Sequence, residues 1–441
     1  MTRHRDVELL AVGAGPSNLA LAVALEELAP AELATNSLLI EQSETVAWQR
    51  GMLLPWTQAQ VSFLKDLVTL RDPCSKFSFL NYLHSVDRLN EFVNLGTFTP
   101  YRTEISDYLQ WVANSLRKVR IEYDRQCAAI EPVHDSAGVL TGWLTRLSDG
   151  STIGSRFLAI GTGRDAYVPP VFSELPDRRL IHSTEYIPRI NELSKDLPYH
   201  VAVIGGAQSA AEMLYSVQQD LPSCQATMVM RSVGLNNYES SKFTNELYYP
   251  TFTDDFFAAQ PLAREQLLRE MHRTNYSGLA PQLLDALYRQ LYQERLVGKR
   301  RMQIITMTDL TAARMDSDEV VLELADRKTG AITELRCDLV LLGTGFVPQM
   351  PRMIRRLGEA LGIERVDVTR NYRLITDGKA TAACYLQGVN EATHGIADSL
   401  LSVLAKRTSE IAGDILACRA QPRPPVVQTA HGEVSRVSMA R

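Results

Sequence analysis

Two short stretches carry the residue types that hold a phosphate without a metal. Gly13-Ala14-Gly15 ends the apolar run Leu9-Leu10-Ala11-Val12, and Gly205-Gly206-Ala207 ends Val201-Ala202-Val203-Ile204. A helical pattern follows each, with Leu19, Leu21, Val23, Ala24 and Leu25 in the first and Ala210, Ala211, Met213 and Leu214 in the second. A strand, a glycine turn and a helix start bring backbone N–H groups and a positive helix end to one point, the pyrophosphate cradle of a dinucleotide-binding unit. Each copy has its partner downstream. Glu41 follows Ser37-Leu38-Leu39-Ile40, 28 residues beyond Gly13, where a carboxylate can accept hydrogen bonds from ribose hydroxyls. Arg231 follows Ala226-Thr227-Met228-Val229-Met230, 26 residues beyond Gly205, where a cation suits a 2′-phosphate. The second site is therefore expected to take NADP rather than NAD, and the first a flavin adenine dinucleotide.

The same pattern predicts the elements that position these groups. Unbroken apolar runs predict parallel strands buried on both faces. Leu158-Ala159-Ile160-Gly161-Thr162-Gly163 is echoed 182 residues later by Val340-Leu341-Leu342-Gly343-Thr344-Gly345, two strands running into small-residue turns. The expected class is α/β, with two Rossmann-like dinucleotide-binding domains, the second inserted in the first, plus a small mostly helical substrate region. Residues 1–165 and 336–420 would form the FAD domain, and 166–235 with 301–335 the NADPH domain. Residues 236–300 would form the substrate region, with Leu267, Leu268 and Met271, then Leu284, Leu287 and Leu291, at helical spacing. Residues 421–441 open Gln421-Pro422-Arg423-Pro424-Pro425, lack periodicity, and are expected to be a disordered tail.

Composition bounds the activity without identifying it. At roughly 150 residues per domain, 441 residues make two or three units. Lys plus Arg is 46 and Asp plus Glu 51, a net charge of −5, so no broad basic field is present for nucleic acid or an anionic membrane. The six cysteines are far apart with no C-x-x-C pair, which argues against a thiol redox couple or a Cys-rich metal site; no metal is expected. Scattered single cysteines fit a reducing compartment. The apolar stretch near the N-terminus is broken early by glycines and is too short for a signal peptide or a membrane span. A cytoplasmic protein is expected.

Beyond these motifs, the chain resembles the microbial flavin-dependent N-hydroxylating monooxygenases, the L-ornithine N5- and L-lysine N6-monooxygenases of siderophore biosynthesis. The resemblance rests on Gly13-Ala14-Gly15-Pro16-Ser17-Asn18, on Gln60-Val61-Ser62-Phe63-Leu64-Lys65-Asp66-Leu67, and on Gly205-Gly206-Ala207-Gln208-Ser209-Ala210-Ala211-Glu212. It continues through Thr274-Asn275-Tyr276-Ser277, Gly343-Thr344-Gly345-Phe346 and Thr393-His394-Gly395-Ile396-Ala397-Asp398-Ser399-Leu400-Leu401-Ser402. It implies that NADPH reduces FAD, that reduced FAD and O2 form a C4a-hydroperoxyflavin, and that a side-chain amine takes its distal oxygen. The preferred amine is that of L-ornithine, giving N5-hydroxyornithine for a hydroxamate siderophore or a related natural product. L-lysine, putrescine and cadaverine are the alternatives: lysine adds one methylene, worth only about 1–3 kcal/mol of affinity, and the diamines lack the α-carboxylate. A non-catalytic flavin-binding regulator is the remaining reading. The resemblance also implies a homotetramer.

Site residues follow from the resemblance position by position. FAD is assigned to Gly13, Gly15, Pro16, Ser17, Asn18, Glu41, Trp48 and Gln60, with backbone N–H groups of Gly395 and Ile396 near the ring. NADPH is assigned to Gly205, Gln208, Ser209 and Arg231. Lys65 is to pair with the amino acid's carboxylate, Asn245 and Asn275 to hold its amino and carboxylate end, and Ser402 to lie beside it. Gln60 and Asn275 are the catalytic candidates. Read without the family, Lys65 is a solvated surface lysine and each Asn a loop cap. Three departures stand out: Ala207 replaces a third glycine, Gln49 follows Trp48 where His is common, and the loop Asn236-Asn237-Tyr238-Glu239-Ser240-Ser241-Lys242 is unlike the ornithine-type wording. The methyl group of Ala207, in a close-approach turn, is expected to bear on cofactor affinity. His394 is expected to be structural.

Overall fold

The computed structural model describes residues 4–238, 241–276 and 278–420. The first apolar run becomes β1 (His4–Val12), which pairs in parallel with β2 (Ser37–Ile40), and β2 in turn with β3 (Arg120–Glu122). After β4 (Cys127–His134) and β5 (Leu140–Leu147), two antiparallel strands, β6 (Thr152–Ile160) lies along the other edge of β1. Leu9 and Ala11 face one core, under the helix Pro16–Leu28, while Leu10 and Val12 face another. Burial on both faces is why the run carries no polar alternation.

A second sheet starts at β7 (Leu180–His182) and continues with β8 (His200–Ile204) and β9 (Gln225–Val229). A short pair, β10 (Asn236–Asn237) with β11 (Gly278–Leu279), brackets the insertion. That insertion is helical: Lys242–Glu246, Pro250–Ala258 and Pro261–Asn275 precede β11, and Pro281–Leu296 follows it. Three of these helices begin on proline, whose missing N–H costs nothing in a first turn. The chain then adds β12 (Met302–Ile305) beside β9 and an antiparallel trio, β13 (Thr308–Asp316), β14 (Glu319–Asp326) and β15 (Ile332–Cys337). Next comes β16 (Leu339–Leu342), so the second sheet reads β12-β9-β8-β16-β7, all parallel. The boundary expected at residue 336 therefore falls too early, since Val340-Leu341-Leu342 closes the second sheet. Both closing strands are short apolar runs into Gly-Thr-Gly, and the sequence does not say which sheet a run joins. The chain re-enters the first sheet only at β17 (Ala383–Leu386), beside the C-terminal half of β6.

Strand register decides where function can sit. Val12 pairs with both Ile40 and Ile160, and Ile160 with Leu386, so four strands of the first sheet end level. Ile204 pairs with Val229 and Leu342 in the same way. Ligands of open parallel sheets bind just beyond the carboxyl ends of the strands, and the next residues in line are Gly13, Glu41, Gly161 and Gln387 in one sheet and Gly205, Met230 and Gly343 in the other.

Candidate active site

The two glycine turns are built alike. Gly13 has φ +88°, and a Cβ there would stand 3.0 Å from the Gly161 carbonyl oxygen. Gly205 has φ +135°, and its Cβ would stand 2.4 Å from the Gly343 carbonyl oxygen. The echo turns explain themselves in the same geometry, with Gly161 packed against Asn18 and Gly343 against Ala210 on the two opening helices. Gly15 caps the helix Pro16–Leu28 and Ala207 caps Gln208–Asp220, both in extended conformation. At φ −113° Ala207 needs no glycine, so its methyl adds no backbone strain.

Both turns open into one cavity of about 1870 Å³. Its lining includes Gly13, Gly15, Pro16, Ser17, Glu41, Trp48 and Gln60 from the first part of the chain. Gly205, Gln208, Ser209 and Arg231 come from the second sheet. Lys65, Asn245 and Ser402 complete the wall between them. A drug-sized ligand occupies a cleft of about 300–1,000 Å³, so this volume accommodates more than one molecule.

Three assigned residues lie off this wall. Asn18 is fully buried, donating through Nδ2 to the Val12 and Gly13 carbonyls (2.9 and 2.7 Å) and accepting from Gln387 Nε2 (2.7 Å). It shapes the turn from beneath instead of facing the cavity. Gly395 and Ile396 are likewise absent from the cavity lining. The Gly395 N–H donates to the Glu391 carbonyl at 3.0 Å, and the Ile396 side chain packs with Tyr248, Met271, Ala397 and Val403. The wall in that segment is instead Ser399, Leu400, Leu401, Ser402 and Leu404. Asn275 ends the helix Pro261–Asn275, but its side chain, like Ser277 and residues 239, 240 and 421–441, lies outside the described residues.

The stretch around Lys65 is a chain of turns, and just before it Gln58 makes a single bridge to Tyr101. Asp66 fixes it, accepting from the Val68, Thr69 and Phe79 backbone N–H groups at 2.9, 2.6 and 2.8 Å. Lys65 itself is half-buried and holds its Nζ 4.6 Å from the centre of the Tyr249 ring. Among the described residues it has no carboxylate partner, and desolvation lowers its pKa from the ordinary lysine value.

Several wall residues were not foreseen. Gln387, at the carboxyl end of β17, leaves its Oε1 buried without a hydrogen-bond partner among the described residues, as does the Ser402 Oγ. A polar side chain directly after a buried parallel strand was the available signal for Gln387. Glu391 accepts from Ser399 Oγ (2.7 Å) and Tyr276 Oη and pairs with Arg164 (2.9 Å), tying the insertion to the first domain. Only tertiary contact brings those four together. His394 stacks on Tyr372 at 4.0 Å and bonds the Arg370 carbonyl, a structural role as expected.

Two nucleotide cradles facing one shared cavity define a two-dinucleotide α/β flavoprotein. Glycine turns that a Cβ would fill, Glu41 beside one, Arg231 beside the other and two orphaned polar atoms in the wall fit FAD and NADPH. The chain belongs to the L-lysine 6-monooxygenase/L-ornithine 5-monooxygenase family, whose model matches residues 5–348. It is 38% identical to an L-ornithine N(5)-monooxygenase of Pseudomonas aeruginosa over 92% of this chain and 93% of that protein. An ornithine hydroxylase structure from Pseudomonas aeruginosa superposes with a TM-score of 0.87 at 38% identity, covering 94% of this chain and 100% of that one. The ornithine N-hydroxylase of Kutzneria sp. 744, in complex with reduced FAD, NADP+ and L-ornithine, has the same TM-score at 32% identity and the same coverage.

Proposed function

We propose that this protein hydroxylates the side-chain amine of L-ornithine at N5, with FAD, NADPH and O2. Bound FAD, once reduced by NADPH, supplies the activated oxygen that the amine nitrogen accepts. Gly13, Gly15, Pro16, Ser17 and Glu41 would hold FAD, and Gly205, Gln208, Ser209 and Arg231 would hold NADPH. What the chain does is bind, orient and desolvate.

One observation carries the choice of substrate. Lys65 is a half-buried cation on the cavity wall with no carboxylate partner among the described residues. An amino acid brings that partner, whereas a diamine brings a second cation. Asn245 and Ser402 share the wall, and among the described residues the Ser402 Oγ has no hydrogen-bond partner, leaving it free to meet a ligand. Gln60, on the wall, and Asn275 are assigned to holding the reacting groups. An alkylammonium has a pKa near 10.4, so a nucleophilic amine at neutral pH needs an environment that disfavours its charge. Burial of the amine end in this cavity would supply it and keep water away from the reacting oxygen. The reading extends to a cytoplasmic homotetramer whose product serves a hydroxamate siderophore or a related natural product, supported by the family resemblance.

The test measures hydroxylamine product, not NADPH consumption, with ornithine, lysine, putrescine and cadaverine. Ornithine should be hydroxylated best, and hydroxylation of a diamine with none of ornithine overturns the proposal. Lys65→Ala should raise the ornithine KM by about tenfold or more while NADPH oxidation persists, as expected for a lost charge-assisted contact to a carboxylate. An unchanged KM removes that role from Lys65.

A further inference from the structure

Arg231 does not stand alone at the edge of the second cradle. The turn between β12 and β13 is clasped against it, with the Thr308 N–H donating to the Met230 carbonyl (3.0 Å) and the Met307 N–H to the Ser232 carbonyl (3.0 Å). Met307 adopts φ +53°, which swings the chain so that Thr308, Asp309 and Leu310 line the same cavity as Arg231 and Ser232. A carboxylate is thus placed where an anionic phosphate is expected. Asp309 is held by Arg327 through a bidentate pair, Nε to Oδ2 and Nη2 to Oδ1, both 2.7 Å. Arg327 is anchored in turn by its own N–H, which donates to the Met307 carbonyl at 2.8 Å. The Asp309 carboxyl is held below its ordinary pKa first by Arg327 and, more weakly, by Arg231, which places all three charges in one electrostatic neighbourhood. Side chains that are 37% and 43% exposed gain little folding stability from such a pair, so stability is a poor reason for it.

We propose that Asp309 and Arg327 are specificity-determining residues for the nicotinamide cofactor, setting the net charge at the 2′-phosphate position and hence the preference for NADPH over NADH. The inference rests on reading the second cradle as an NADPH site. With Arg231, Arg327 and Asp309 the local charge is +1. Removing Arg327 brings it to zero and removing Asp309 raises it to +2. The double change restores +1.

Calorimetric titration of the purified holoenzyme with 2′,5′-ADP, NADP+ and NAD+, at low and high salt, tests this without relying on turnover. Wild-type protein should bind NADP+ more tightly than NAD+; equal affinities overturn the NADPH reading and the pair's role together. Arg327→Ala should weaken NADP+ and 2′,5′-ADP by about three- to tenfold, the scale of one solvent-screened charge, with NAD+ changed by less than about twofold. Asp309→Asn should tighten the same two ligands by a similar factor, and the double variant should return close to wild type. If wild-type preference is present but neither single variant alters the NADP+ to NAD+ ratio, the pair's role is refuted and the NADPH reading survives. Equal losses for NAD+ and NADP+ in both variants would reveal a merely structural turn and refute it equally. Should Arg327→Ala fold poorly, the Asp309→Asn arm decides.

Discussion

A side chain's chemistry here is set by what it lacks as much as by what it touches. Among the described residues, Lys65 has no carboxylate partner and the Ser402 Oγ no hydrogen-bond partner, whereas His394 spends both ring nitrogens inside the protein, on Thr393 and the Arg370 carbonyl. Burial pushes the His394 pKa from its ordinary 6.5 down to about 4. The unfolded chain therefore takes up a proton near pH 6.5 that the folded chain refuses until about pH 4. The stability that His394 provides is complete above pH 6.5 and drains away as the pH falls toward 4, by at most about 3 kcal/mol. Urea unfolding at pH 7 and pH 4.5 checks it: His394→Asn should be less stable at pH 7 but flatter across that interval. A wild-type profile as flat as the variant's would show that His394 protonates freely in the fold.

The working element is the strand–turn–helix, used twice with different tolerances. Gly205 combines φ +135° with a Cβ position 2.4 Å from the Gly343 carbonyl oxygen, so both conformation and space demand glycine. Ala207 sits two residues on at φ −113°, where any residue is comfortable. Gly205→Ala should cost about 2 kcal/mol or more of stability through strain and displace the second cradle. Ala207→Gly should change NADP+ affinity by less than about threefold, well inside the range of a lost minor contact. Thermal unfolding and NADP+ titration of the two variants separate them; a large gain in affinity from Ala207→Gly would mean that the methyl does obstruct the nucleotide.

Across the whole molecule, a few buried charges join the parts. Arg102, at the start of the helix Arg102–Ser115, donates both terminal nitrogens to Glu212 on the helix Gln208–Asp220, at 2.7 and 2.5 Å. Gln208 Nε2 donates to the same carboxylate at 2.6 Å, and its Oε1 accepts from the Ala280 N–H at 2.9 Å, so the network reaches the insertion too. Glu212→Ala leaves a buried guanidinium unpaired and should cost about 3–5 kcal/mol. Arg102→Leu with Glu212→Leu should recover much of that loss. Chemical denaturation of the single and double variants measures it, and a single variant as stable as wild type would show that water reaches Arg102. Arg407 and Asp398 make a comparable buried pair at 2.9 Å, from which Arg407 also holds the Ser17 hydroxyl at 2.8 Å, linking the last helix to the first.

How much of this was legible in the sequence follows from range. Strand, turn and helix around Gly13 and Gly205 could be read directly, because apolar runs buried on both faces and left-handed glycine turns are local demands. Glu41 and Arg231 followed from their distance along the chain, and both line the cavity. The family wording pointed to Lys65, whose residue type alone favoured a surface lysine. Which sheet Val340-Leu341-Leu342 joins was not legible, since two nearly identical runs compete and strand pairing is a long-range choice. Nor was the absence of Gly395 and Ile396 from the cavity lining, or the meeting of Arg164, Tyr276, Glu391 and Ser399 from three distant segments. Sequence alone determined the two cradles, because close backbone approach and positive φ dictate glycine at Gly13 and Gly205. Tertiary structure decided which side chains share the wall between the cradles and which charges surround Arg231, because those depend on packing between segments that no local pattern encodes.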